Sequence, residues 1–214
     1  MPTPPEKLIQ KHGGYRKLKS FQLAELIFDL SIIFCDKYID KRSRTHDQMV
    51  QAARSGRQNI GEGSQCSGTS KKFEIKLTGV ARASLEELTI DYEDFLRQRG
   101  YPLLEPEDPI LQRFKEMRCK TVGDVRVWVK DERERMVEAK HFHHTDEPQS
   151  PHSVSPCGSS VLPSSALAAN GILSLLNLCT HFLDRQLERQ SQNFEDEGGF
   201  TERLYRIRKQ KRRQ

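Results

Sequence analysis

No run in this chain is apolar for long enough to cross a bilayer. The best candidate, Gly171 to Leu183, is interrupted by Asn177, Thr180 and His181, and it falls short of the ~20 apolar residues a spanning helix needs. The opening Met1-Pro2-Thr3-Pro4-Pro5-Glu6 lacks the apolar core of a signal peptide. These two absences predict a cytoplasmic protein. Cysteine is scarce and shows no pairing pattern: Cys35, Cys66, Cys119, Cys157 and Cys179 are odd in number, and none stands in C-x-x-C spacing. That argues against a disulfide framework. Cys35 and Cys179 fall in apolar helical stripes, where cysteine acts as a small core residue. Hydrophobic residues are only 35% of the 214, too few for one large core that includes every segment. Long amphipathic helices tolerate such a composition, because only one stripe of each must be buried.

The marks of catalysis are also missing. Gly61-Glu62-Gly63 does not follow a strand, so it is not a phosphate loop. His141-Phe142-His143-His144 has no Cys or acidic partner at ligand spacing, which argues against a metal. No Ser/His/Asp set is evident. Glu86, Glu87, Asp91, Glu93 and Asp94 could mimic an acid pair, but they read more simply as the solvent face of a helix. The expectation is a protein that is not an enzyme and holds no cofactor or metal.

What the sequence does contain is helical periodicity. Residues 1–14 are Pro- and Gly-rich and read as a flexible basic N-terminus. A first helix is expected over 15–40 with two apolar stripes: Leu23, Leu26, Ile27, Leu30, Ile33 and Phe34, and beside it Phe21, Ala24, Phe28, Ile32, Cys35 and Ile39. Two stripes mean burial on two sides, by a subunit interface, an extra helix or a central place in a bundle. A second helix is expected over 44–62, with Gly63 just past its end. A third, over 71–99, spaces Phe73, Leu77, Val80 or Ala81, Ser84 or Leu85, Leu88, Tyr92 and Phe95 by threes and fours, as near-parallel packing requires. The first three helices thus occupy 15–102. A helical excursion spans 103–144, with a short helix at 110–118 and a second over 122–142 whose stripe (Val125, Trp128, Val129 and Met136) is thin. Residues 145–164, rich in Pro, Ser and His, read as a disordered linker. The most apolar helix lies in 165–199, and 200–214 is a basic tail able to form a helix. The expected fold is all-α: an antiparallel four-helix bundle closed by the C-terminal helix, with the excursion outside it.

Charge is placed unevenly along the chain. The net charge is +5; residues 1–20 hold five Lys/Arg against Glu6, and residues 201–214 hold seven against Glu202. Basic ends contact nucleic acid or an acidic partner, or simply keep a protein soluble. Arg54 and Arg57, with Lys71 and Lys72, could form a patch that contacts phosphates; the same residues could equally be a solvated helix face. The tail residues Arg203, Arg206, Arg208, Lys209, Lys211, Arg212 and Arg213 are the stronger electrostatic feature, and Tyr205 among them could stack on a base. A polar cluster of Asn59, Glu62, Arg82 and Ser84 interrupts otherwise apolar faces. Arg82, with its planar guanidinium, is expected to pair with Glu62 across the second and third helices, as a structural clasp or as part of a ligand site.

Three motifs carry a resemblance: Ala52-Ala53-Arg54-Ser55, then Asn59-Ile60-Gly61-Glu62-Gly63, then Ala81-Arg82-Ala83-Ser84-Leu85-Glu86-Glu87-Leu88. In order and spacing they resemble the 23S rRNA intervening-sequence protein family, also called the four-helix bundle protein family. Gly61 and Ala83 depart from its usual Ala and Gly, and Gln51 stands where Arg is common. The stretch from Ala168-Ala169-Asn170-Gly171 to Leu204-Tyr205 looks like the suffix segment of one branch. The resemblance covers about residues 13–102 and 164–208. It implies a non-enzymatic bundle that assembles as a homopentamer. Related accessory proteins of diversity-generating retroelements pair a basic bundle with nucleic acid and a reverse transcriptase, so the resemblance favours RNA as partner and admits a protein partner of that kind. The expected function is non-catalytic nucleic-acid binding by an oligomeric bundle. The alternative is an adaptor that recruits an acidic protein without nucleic acid.

Overall fold

The structure, a computed structural model, describes residues 8–9, 12–143 and 161–212. Among them every regular element is helical. A 3-10 turn at Tyr15–Lys17 leads into α1 (Lys19–Tyr38), followed by α2 (Arg44–Cys66), α3 (Lys71–Gln98), α4 (Pro109–Met117), α5 (Val122–His143), α6 (Ser164–Glu197) and α7 (Phe200–Lys211). Local chemistry sets several of these limits. The Ser43 hydroxyl accepts the Thr45 N–H at 3.2 Å, and the Ser70 hydroxyl accepts the Phe73 N–H at 3.2 Å, each satisfying a donor that a helix start leaves open. Asp108 caps α4 ahead of Pro109, whose missing N–H costs nothing at a first helical position. Gly100 (φ +65°) and Gly198 (φ +70°) take left-handed conformations just beyond α3 and α6.

α1, α2, α3 and α6 form the expected antiparallel four-helix bundle, each packed on two neighbours in the cyclic order α1, α2, α3, α6. Side-chain pairs fix the register. Ser55 meets Ser84 between α2 and α3, the Gln190 amide donates to Glu74 between α6 and α3, and the Ser20 hydroxyl donates to Gln186 between α1 and α6. Ile27, Leu85, Leu88, Tyr92, Leu176 and Leu183 are buried at the centre. The Phe34 ring stands edge-on to Tyr92 and Phe95 at 4.9 and 4.8 Å between centroids, a preferred aromatic geometry. Against the expectation that no run could span a bilayer, one 18-residue window within 164–211 is apolar enough by composition to cross a membrane; 61% of it is buried within the structure, as in the core helix of a bundle.

α4 and α5 lie outside the bundle, α4 against α6 and α5 against both α6 and α1. The two-sided apolar demand of α1 is therefore met largely within one chain. Leu26, Ile27, Leu30 and Phe34 are buried, as are Phe21, Ala24 and Cys35 of the second stripe. The Trp128 and Phe114 rings pack at 4.6 Å, and a Cβ at Gly171 would stand 2.9 Å from the Trp128 ring. Most of the expected linker, residues 145–160, lies outside the described residues.

The second helix does not end where its glycine suggested. α2 continues to Cys66, and Gly63 is buried inside it. There α3 comes so close that a Cβ would lie 3.3 Å from the Glu74 carbonyl oxygen and the Leu77 Cβ. Gly56, two turns earlier, does the same against Leu85, where a Cβ would fall 2.5 Å from Cδ2. Both glycines serve helix–helix approach. Gly56→Ala gains up to about 1 kcal/mol of helix propensity but must displace a fully buried leucine, at about 1–3 kcal/mol. A net loss of up to about 2 kcal/mol is expected in urea unfolding on this balance. Gly79→Ala, with nothing within 4 Å of the new methyl, should instead be neutral or stabilising.

Candidate nucleic-acid interface

The polar cluster divides in two. The Asn59 amide donates to the Ser55 carbonyl at 2.9 Å and to the Ser55 hydroxyl at 3.1 Å, and that hydroxyl shares a 3.0 Å hydrogen bond with Ser84. Asn59 and Ser84 thus meet through Ser55, below a polar recess of about 420 Å³ that also involves Arg44, Gln51 and Glu87. Arg82 takes no part. It pairs with Asp184 of α6, and that hydrogen bond raises the guanidinium pKa further. Glu62 is exposed. The expected Glu62–Arg82 pair is therefore replaced by Arg82–Asp184. The reason is angular: two residues along a helix turn the side chain by roughly 200°, so if Ser84 faces α2, Arg82 faces the opposite neighbour.

The basic residues of α2 and α3 do not form one patch. Arg54 is exposed, but the Arg57 guanidinium lies over the Phe28 ring of α1 at 4.3 Å, a cation–π contact. Lys71 is only 13% exposed and donates to Glu197 of α6 at 2.6 Å. Lys72 is exposed. The register that sets Ser55 beside Ser84 places Arg54 level with about residue 85 of α3, roughly 20 Å along the axis from Lys72 at 1.5 Å per residue.

α7 separates anchoring cations from free-facing ones. Arg203 is 2% exposed; it donates to the Leu8 carbonyl at 3.5 Å and lies 4.0 Å from the Glu197 carboxylate. Arg206 donates to the Glu197 carbonyl at 3.2 Å, at the open C-terminal end of α6. The hydrogen bond from Lys71, together with the charges of Lys71, Arg203 and Arg206, holds the Glu197 carboxyl below its ordinary range. Lys71 thus ties α3 to the end of α6, and Arg203 and Arg206 fasten α7 to that same end. Beyond them Arg208, Lys209, Lys211 and Arg212 are exposed. Tyr205, 68% exposed, shares a face with Arg208, Lys209 and Arg212 at helical spacing. Arg213 lies outside the described residues.

Among the described residues no group of three His, Cys, Asp or Glu side chains is placed to hold a metal ion. Burial pushes the thiols of Cys35 and Cys179 up to about 12 and that of Cys119 up to about 11, so they are protonated and weakly nucleophilic at neutral pH. The sequence reading missed Ser55, Asp184 and Glu197 as partners. Ser55 stood inside a quoted motif, whereas Asp184 and Glu197 gain their roles only from the register between α3 and α6. No protein-family model, curated protein or solved structure matches the chain.

Proposed function

We propose that this protein is a non-catalytic nucleic-acid-binding bundle, with RNA its favoured ligand, and that it works in the cytoplasm as a homo-oligomer. We further propose membership of the 23S rRNA intervening-sequence protein family, in the branch with the C-terminal suffix, and with it a pentameric state. The motif order supports this, as does the antiparallel four-helix arrangement. The observation that carries the binding proposal is the outer face of α7. There Arg208, Lys209 and Arg212 flank an exposed tyrosine, with Lys211 exposed on the adjoining side, on a helix whose anchoring is done by other residues. Cations of this kind contact phosphates without reading sequence, and the ring can stack on a base.

The test is fluorescence anisotropy with a labelled single-stranded RNA across a salt series. Four phosphate contacts give a slope of about −3, so raising salt from about 50 to about 200 mM lowers affinity about 50-fold. The quadruple variant Arg208→Ala, Lys209→Ala, Lys211→Ala, Arg212→Ala should lose the RNA while keeping the Lys71–Glu197–Arg203 anchor. Binding that ignores salt, or that survives the quadruple variant, would remove α7 as the interface. A monomeric light-scattering mass would remove the assembly.

A further inference from the structure

We propose that the groove bounded by α1, α4 and α6 is a docking site for an amphipathic, acid-flanked helix of a partner protein. The site is separate from the outer face of α7. Its volume is about 1130 Å³, and its apolar lining comes from Leu23 and Leu26 of α1, Phe114 of α4, and Leu175, Leu178 and Phe182 of α6. Leu178 is 45% exposed and Leu103, at the rim, 55% exposed. A single exposed leucine needs no explanation; two bordering a continuous apolar groove mark a surface suited to a partner.

The rim identifies the partner's charge. Lys19, Lys115, Arg118 and Lys120 are all exposed around the groove; of the lining residues only Glu25 is acidic, and Asp124 stands beside Lys120. Complementary charge steers the approach of an acidic partner and fixes its register. The opening between α1, α5 and α6, about 610 Å³, carries cations together with Glu134 and Glu138, and its Lys130 pairs with Glu134 at 3.7 Å. That surface sets four cations against two carboxylates, whereas the α1–α4–α6 lining sets four against one, the larger positive excess.

The groove is also held open. The buried Asn170 accepts the Leu104 N–H at 2.8 Å and donates to the carbonyls of Pro102 at 3.1 Å and Ala166 at 2.9 Å. Gln112 and Lys115 both donate to the Pro106 carbonyl, at 2.8 and 2.5 Å. The loop between α3 and α4 is thereby fixed as a wall, and a ligand need not pay to order it. From Asn170 to Phe182 the groove follows α6 for about 18 Å, the length of a helix of about three turns. An apolar floor of this length, open along one side, fits a helix laid in with anchors at i, i+3 or i+4, and i+7.

The experiment uses the nuclease-treated full chain to select from a displayed library of random 14-residue peptides, with a Leu178→Glu variant as counter-selection. Peptides enriched on the wild type should show helical apolar spacing with an excess of Asp and Glu. Leu178→Glu should weaken the best of them by about 30-fold or more, as loss of an interface anchor does. Lys19→Glu with Arg118→Glu, which leaves the Lys115 bond to the wall intact, should weaken them too and flatten the salt dependence. No enrichment, a basic or extended consensus, or peptides that bind Leu178→Glu equally well would overturn the proposal. So would two rival occupants. In one, sedimentation shows self-association that Leu178→Glu abolishes, making the groove a contact between copies. In the other, anionic vesicles float the wild type but not the variant, making it a lipid surface. RNA binding by α7 is read separately and can fail or hold without changing these outcomes.

Discussion

Trp128→Ala should destabilise the protein by about 3–5 kcal/mol and free α4 and α5 from the bundle. Trp128 is 2% exposed, lies against Phe114, and sits over Gly171 where no side chain intervenes. Among the described residues its indole N–H has no hydrogen-bond partner, so the substitution orphans none of their acceptors; the cost is lost packing area plus the cavity left behind. The remaining buried contributors from the excursion are few: Leu111, Phe114, Cys119 and Val125 among the apolar residues. Hydrogen exchange should therefore accelerate first over 109–143, while α2 and α3 keep wild-type protection. Equal acceleration across all helices would show instead that the excursion and the bundle unfold as one cooperative unit.

The helices of the bundle were legible because each writes its buried stripe at a period near 3.6. Gly63 shows where such reading stops. A glycine past a helix end and a glycine at a helix crossing look alike in sequence; only the approach of Glu74 and Leu77 decides between them. The double stripe of α1 likewise announced burial on two sides without naming the cover. α5 supplies part of that cover, through a face that reads as thin because one of its buried positions is Glu132, 1% exposed.

The site was legible to the extent that its contacts are local. Asn59 and Ser84 were singled out and do share a network, since Ser55 and Asn59 sit one turn apart on α2. Arg82 was given a partner close in sequence, yet its carboxylate lies 102 residues away, and no periodicity on α3 can point to it. In the basic segments composition counts every cation alike. Packing then occupies Arg57 on a ring and Lys71 and Arg203 on a carboxylate, leaving Arg208, Lys209, Lys211 and Arg212 facing out.

Arg113→Ala should cost about 2–4 kcal/mol, because it breaks a buried ion pair from one side only. Arg113 grips Glu132 with two parallel hydrogen bonds of 2.7 and 2.6 Å, and Arg135 adds a third at 2.8 Å. The carboxylate is 1% exposed, while the two guanidinium side chains are 38% and 55% exposed. Removing Arg113 returns that residue's charge requirement to nothing but leaves the carboxylate in place, dry and held by Arg135 alone. Removing the carboxylate as well, in Arg113→Ala with Glu132→Leu, takes away the group that suffers, and most of the lost stability should return. The cycle of two single variants and the double, read by urea midpoints at constant m-value, should give a coupling of about 1.5–3 kcal/mol. If Arg113→Ala alone stays within about 0.5 kcal/mol of wild type, the range of an ordinary surface substitution, Arg135 suffices to hold Glu132 and the fork from α4 is not what keeps α4 on α5.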